Sequence, residues 1–216
     1  MKTGIPKLVA AVLLAAALMP GPVRPQDKQA ALDAKVKAFL ESNRFGWRDM
    51  NVPEADGRTL HDLIVKNGYT RALEIGTSTG HSGIWIAWAL SKTGGKLITV
   101  DIDPGRHAEA VENFKRAGLA DLIDARLADA HELVEKLPGP FDFVFSDADK
   151  DWYINYAKAV MPKLLPGGCL AAHNVSARGR RGWGGSDGYF EFMTAQADFE
   201  TSMVPGSSLA LSFKKK

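Results

Sequence analysis

Arg71-Ala72-Leu73-Glu74-Ile75-Gly76-Thr77-Ser78-Thr79-Gly80-His81-Ser82 reads as a strand, a glycine-bounded turn and the start of a helix. The run 71–75 is short, largely apolar and followed at once by Gly76, as in a buried strand. From His81 a helical stretch runs to residue 91. Outward from this unit the same alternation repeats. Strand-like runs at 96–100, 123–127, 141–145 and 169–172 are separated by helical stretches at 106–117, 130–137 and 152–165. Gly94-Gly95, Gly118, Pro138-Gly139-Pro140 and Pro166-Gly167-Gly168 punctuate the joins. Strand-helix alternation of this kind implies right-handed βαβ units and a parallel sheet with helices on both faces. Ahead of it lie an amphipathic helix at 27–43, a turn-rich link at 43–56 and a second helix at 57–67. Behind it, a helix at 189–197 precedes runs at 200–204 and 208–213 that flank Pro205-Gly206-Ser207, a hairpin pattern.

Open parallel sheets bind ligands beyond the carboxyl ends of their strands. The residues at those ends are Glu74 and Gly76, Asp101 and Asp103, Asp129, Asp147 and Asp149, and His173 and Asn174. Any one acid there is equally well a helix cap; their common placement points to a site. The first turn has Gly-x-x-x-Gly spacing rather than the Gly-x-Gly-x-x-Gly that admits a pyrophosphate. The helix start behind it suits a carboxylate, and Glu74 suits an ammonium. A ligand carrying both groups, such as the methionine end of S-adenosylmethionine, fits this pairing. Asp101, 27 residues on from Glu74, is placed for two ribose hydroxyls.

Three segments carry a resemblance. They are Leu73 to Ser82, Thr99-Val100-Asp101-Ile102-Asp103, and Phe145-Ser146-Asp147-Ala148-Asp149-Lys150-Asp151-Trp152-Tyr153-Ile154-Asn155-Tyr156. With Met50-Asn51-Val52, the chain resembles the caffeoyl-CoA and catechol O-methyltransferase family from about residue 50 to the closing hairpin. The resemblance implies a Rossmann-like class I methyltransferase domain over 26–216, an α/β fold of seven mostly parallel strands with the last antiparallel. It implies that Val52, Glu74, Gly76, Ser82 and Asp101 hold S-adenosylmethionine, with Asp129, Ala130 and His131 around the adenine and Asp147 bordering the same pocket. It further implies a divalent metal on Asp147 and Lys150 acting beside the hydroxyl of a small, aromatic acceptor. The family's next metal ligands are an Asp-Asn pair, which reads His173-Asn174 here. Three outcomes stay open: a nitrogen-tolerant ion such as Mn²⁺, Fe²⁺ or Zn²⁺ in place of Mg²⁺, no metal with Lys150 or His173 as general base, or loss of catalysis. Trp47, Trp152 and Trp183 are candidate acceptor walls, and the Gly/Arg-rich stretch 178–188 is a lid or a plain surface loop.

Composition sets the frame. With 45% hydrophobic and 24% charged residues, the chain is an ordinary globular protein of one domain. Residues 1–25 stand apart: Lys2 and Lys7 precede an apolar run from Leu8 to Met19, closed by Pro20-Gly21-Pro22. This is the layout of a secretory leader, and twelve apolar residues fall short of the ~20 that a membrane span needs. Export, an uncleaved anchor, and a true start at Met19 with a cytoplasmic product are the readings. The formal net charge is +2, and the leader holds Lys2, Lys7 and Arg24 but no acid, so the remainder carries −1. Nothing in that balance calls for nucleic acid; the partner expected is a small acceptor, with a homodimer open. The lone Cys169 lies in an apolar run as a core residue and reports no compartment. Two rival functions remain: a nicotinamide-dependent oxidoreductase, disfavoured by Glu74 and the glycine spacing, and a catalytically silent cofactor-binding protein.

Overall fold

The computed structural model describes residues 24–47, 50–177 and 188–216. Nearly all of the expected leader, and residues 178–187 with Trp183, lie outside the described residues. Among the described residues no helix is long and apolar enough to cross a membrane.

Helices α1 (Pro25–Ser42) and α2 (Glu54–Asn67) precede the sheet. Strands β1 (Arg71–Ile75), β2 (Lys96–Asp101), β3 (Ile123–Leu127), β4 (Phe141–Ser146) and β5 (Leu164–Ala172) alternate with α3 (His81–Thr93), α4 (Pro104–Ala117), α5 (Ala130–Lys136) and α6 (Tyr153–Val160). Helix α7 (Tyr189–Thr194) leads to β6 (Phe199–Met203) and β7 (Ala210–Lys214). The seven strands lie in the order β3-β2-β1-β4-β5-β7-β6. The first five are parallel, and β7 runs antiparallel between β5 and β6. The antiparallel last strand is therefore as expected, but it inserts ahead of its own hairpin partner. Hairpin chemistry pairs β6 with β7 without saying which of them meets β5.

Period-two alternation divides the core. Leu73, Ile75, Val144, Leu170 and Ala172 face α5, α6 and α7. Ala72, Leu97, Phe143, Phe145, Cys169 and Ala171 face α2 and α3. Helix α3 is buried from His81 through Leu90, which is why it is apolar on nearly every side. It packs so closely on α2 that a Cβ on Gly57 would stand 2.3 Å from a Trp85 ring carbon.

Among the boundaries that differ from expectation, three stand out. The 152–165 helix is split: 3₁₀ turns at Lys150–Trp152 and Met161–Lys163 bracket α6, and Pro162 has no N–H to continue an α-helix. Strand β5 starts at Leu164 rather than 169, with an irregular register against β4 between Phe141 and Phe143. Helix α2 starts at Glu54, one turn early, after Pro53. That last shift takes Asp56 out of the link and into a buried helical turn.

Candidate active site

Registry brings the strand ends level: Ile75 pairs with Val100 and with Ser146, and Ser146 with Ala172. Sheet order runs outward in opposite directions from β1 and β4, so the switch point lies between them. Gly76 makes this junction possible. Its φ is +99°, and a Cβ there would fall 2.8 Å from the backbone carbonyl of Asp147. A cavity of about 590 Å³ opens over the junction.

Of the residues expected at the site, Gly76, Asp101, Asp129, Ala130, Asp147, Lys150, His173 and Asn174 all line this cavity. Val52, Glu74 and Ser82 do not. Glu74 is fully buried beneath the turn. Thr99 Oγ1 donates to its Oε2 at 2.6 Å, while Oε1 is buried without a hydrogen-bond partner. Burial pushes the Glu74 carboxyl up to about 8, Asp147 and Asp101 add to this, and hydrogen bonds from Ser82 and Thr99 oppose it. An ammonium would give the orphaned oxygen both a donor and a charge, so Glu74 fits an amino-acid-tailed ligand. Asp101 accepts from the backbone N–H of Ser78 at 2.7 Å and of Asp103 at 2.9 Å, which fixes its carboxylate at the cavity wall. Asp129 both caps α5, accepting from the His131 N–H at 2.9 Å, and lines the cavity. The cap and site readings of that acid hold together. The His131 ring lies 3.3 Å from a carboxylate oxygen of Asp129 and of Asp149 and packs on Trp152, ring centres 4.4 Å apart.

Val52 sits behind the turn. Its carbonyl faces His81 Nδ1 at 2.9 Å, and His81 Nε2 accepts from Trp85 at 3.0 Å, so the proton belongs on Nδ1. Burial lowers the pKa of this imidazole, in keeping with a neutral packing residue. Trp47 stacks on His81 with ring centres 4.6 Å apart and lines a second hollow under α1 and α2, away from the acceptor side.

A chain of charged and polar groups runs back from the cavity lining. Lys150 Nζ donates to Asp147 Oδ1 at 2.5 Å. Asp147 Oδ2 lies 3.3 Å from His173 Nδ1. His173 Nε2 meets Asp56 Oδ2 at 3.1 Å, and Asp56 Oδ1 accepts from Ser207 Oγ at 2.6 Å. Burial alone would lower the His173 pKa, but Asp147 first and then Asp56 hold it above its ordinary value. The Tyr153 hydroxyl, 3.0 Å from the Ser146 carbonyl and 3.1 Å from that of His173, clamps the ends of β4 and β5 together. Asn174 has φ +56°, a left-handed backbone that asparagine tolerates.

Among the described residues no trio of His, Cys, Asp or Glu is placed to hold a metal. Asp147 and His173 form a pair, and a third protein donor would be the Asn174 amide. The pair nevertheless fits a cation in one respect: His173 Nδ1 is buried and has no hydrogen-bond partner. Asp56 and Ser207 were not legible as site residues. An acid in the first turn of a helix looks locally like an ordinary cap, and a serine in a hairpin turn like a turn residue.

A family model described as O-methyltransferase matches residues 26–182. A catechol O-methyltransferase from Niastella koreensis is 42% identical over 152 residues, 68% of this chain and 68% of that protein. Caffeoyl-CoA O-methyltransferase 1 from Eucalyptus globulus is 33% identical over 134 residues, 60% of this chain and 54% of that protein. The chain thus matches about half the length of the plant relative. Among solved structures, an O-methyltransferase from Bacillus cereus in complex with SAH is similar with a TM-score of 0.71 and 25% identity, covering 85% of this chain and 91% of that one.

Proposed function

Because this chain belongs to the O-methyltransferase family, we propose that it moves a methyl group from S-adenosylmethionine to a hydroxyl of a small aromatic acceptor. The observation that carries this reading is one cavity lined by the Gly76 turn and Asp101 together with the Lys150–Asp147 pair. That arrangement would let cofactor and acceptor share one cavity, as displacement at a sulfonium carbon requires.

Bound there, S-adenosylmethionine supplies an electrophilic methyl group. Glu74 Oε1 would take the ammonium, the start of α3 would face the carboxylate, and Asp101 would take the ribose hydroxyls. His131, packed on Trp152, forms a wall of the cavity near the adenine. Lys150 Nζ, held by Asp147 Oδ1, would face the acceptor hydroxyl, and the hydroxyl proton would pass to the Lys150–Asp147 pair. Asp147, His173 and Asn174 would hold a divalent ion, whose contribution is to acidify an acceptor hydroxyl.

The test is incubation with S-adenosylmethionine and a panel of catechols and hydroxycinnamoyl thioesters, with methylated product and S-adenosylhomocysteine read by mass spectrometry. Methyl transfer to oxygen is expected. No transfer to any acceptor, together with no S-adenosylhomocysteine binding by calorimetry, overturns the reading.

A further inference from the structure

We propose that the hollow under α1 and α2 is a second small-molecule site, which takes a flat aromatic ring bearing one carboxylate. The proposal stands apart from the methyl-transfer reading, because it concerns a different cavity. Met50 and Asn51 line the cavity over the strand ends, whereas Val52, Pro53 and Glu54 line the hollow. His81, which holds the Val52 carbonyl at 2.9 Å, also borders the hollow. The hollow measures about 500 Å³, within the ~300–1,000 Å³ of small-molecule sites.

Its inner wall is aromatic, built from Trp47, Trp85 and Trp88 with Leu40 beside them. Trp85 and Trp88 are 4% and 6% exposed. Their ring nitrogens are tied down, Trp85 to His81 at 3.0 Å and Trp88 to Asp33 at 2.6 Å, so this wall is preformed. Flat rings pack on such a wall face to face or edge to face. Trp47 differs: its Nε1 is buried with no hydrogen-bond partner. Turning that N–H toward a ligand oxygen therefore breaks no existing bond. The rim is charged, with Lys37, Arg44 and Arg58 set against Glu41 and Glu54. Burial lowers the His81 pKa, so this imidazole adds no charge at pH 7, and three cations less two carboxylates suit a monoanion. Arg58 is already engaged, donating to Glu54 at 2.8 Å and lying 5.6 Å over the Trp85 ring. Arg44 comes within 3.8 Å of Glu41 and 4.0 Å of Glu54 but hydrogen-bonds to neither. Its planar fork is thus open to a carboxylate, which guanidinium grips through two parallel N–H bonds. A quaternary ammonium, the common guest of aromatic cages, is disfavoured by the same charge balance.

The probe is trans-cinnamate, which carries the ring and the carboxylate but no hydroxyl to methylate. It is titrated calorimetrically into the full chain, with and without saturating S-adenosylhomocysteine. One equivalent is expected to bind with a Kd of about 1 mM or tighter, whether or not S-adenosylhomocysteine is present. Cinnamamide, which keeps the shape and loses the charge, is expected to bind at least about ten-fold more weakly, and so is propionate, which lacks the ring. Arg44→Gln, at an exposed position, should weaken cinnamate by at least about ten-fold and leave S-adenosylhomocysteine affinity within about two-fold. Lys150→Met should leave cinnamate binding unchanged. The proposal is overturned if cinnamate shows no saturable binding, if cinnamamide or propionate binds equally well, or if Arg44→Gln binds cinnamate as tightly as the unaltered chain. Displacement of cinnamate by S-adenosylhomocysteine, or its loss in Lys150→Met, also overturns it by placing the ligand in the other cavity. Failure of the methyl-transfer reading looks different, since cinnamate would still bind to a chain that takes no S-adenosylhomocysteine.

Discussion

His173 Nε2 and Asp56 Oδ2 lie 3.1 Å apart, although 117 residues separate them in the chain. The contact ties the first turn of α2 to the end of β5. The helices ahead of the sheet are thereby part of the site and not merely a cover for the core. The same chain of contacts continues through Asp147 to Lys150, and the chemistry at one cavity wall depends on elements from both ends of the sequence.

Lys150→Met removes the nitrogen proposed to face the acceptor hydroxyl and leaves Asp147 without its cation. General acid-base groups contribute typically 10²–10⁴-fold, so kcat is expected to fall by about that factor. S-adenosylhomocysteine affinity should be nearly unchanged, because Glu74, Gly76 and Asp101, and not Lys150, are the groups proposed to hold the cofactor. Steady-state rates and calorimetry on the same preparation check both halves.

Glu74 should couple cofactor binding to pH. Burial raises its folded pKa from 4.5 to about 8, so between those values the folded protein holds a proton that the unfolded chain has lost. Its contribution to stability is therefore complete below pH 4.5 and disappears as pH rises through about 8. A bound ammonium favours the carboxylate, so S-adenosylhomocysteine binding should release a proton and tighten with pH, by at most about ten-fold per unit, up to about pH 8. Calorimetry in buffers of different ionisation heat measures that proton. Glu74→Gln should abolish the release; a Glu74→Gln protein that still releases the proton refutes the assignment.

Gly76→Ala forces a side chain into a left-handed backbone at φ +99° and a Cβ to 2.8 Å from the Asp147 carbonyl. Strain of this kind costs about 1–3 kcal/mol. Thermal unfolding should shift down by several degrees, and cofactor binding should weaken because the junction of β1 and β4 must open.

Gly57→Ala tests the α2–α3 contact. The added Cβ would stand 2.3 Å from Trp85, whose ring nitrogen is held by His81 at 3.0 Å. Overpacking costs about 1–3 kcal/mol, read by denaturant unfolding.

The sequence by itself determined the parts that depend on near neighbours. Strand and helix periodicities, the glycine turn at 76–80 and the acids at successive strand ends were all legible. So was the grouping of Gly76, Asp101, Asp129, Asp147, Lys150 and His173, because a parallel sheet delivers every strand's carboxyl end to one edge. Only tertiary structure decided the rest. It buried Glu74 and so moved its titration to about 8, it slid β7 between β5 and β6, and it set Asp56 and Ser207 behind His173. The physical reason is range. A local pattern encodes backbone conformation and which face is apolar. Which buried acid meets which imidazole is decided when whole elements pack, and no spacing along the chain records that.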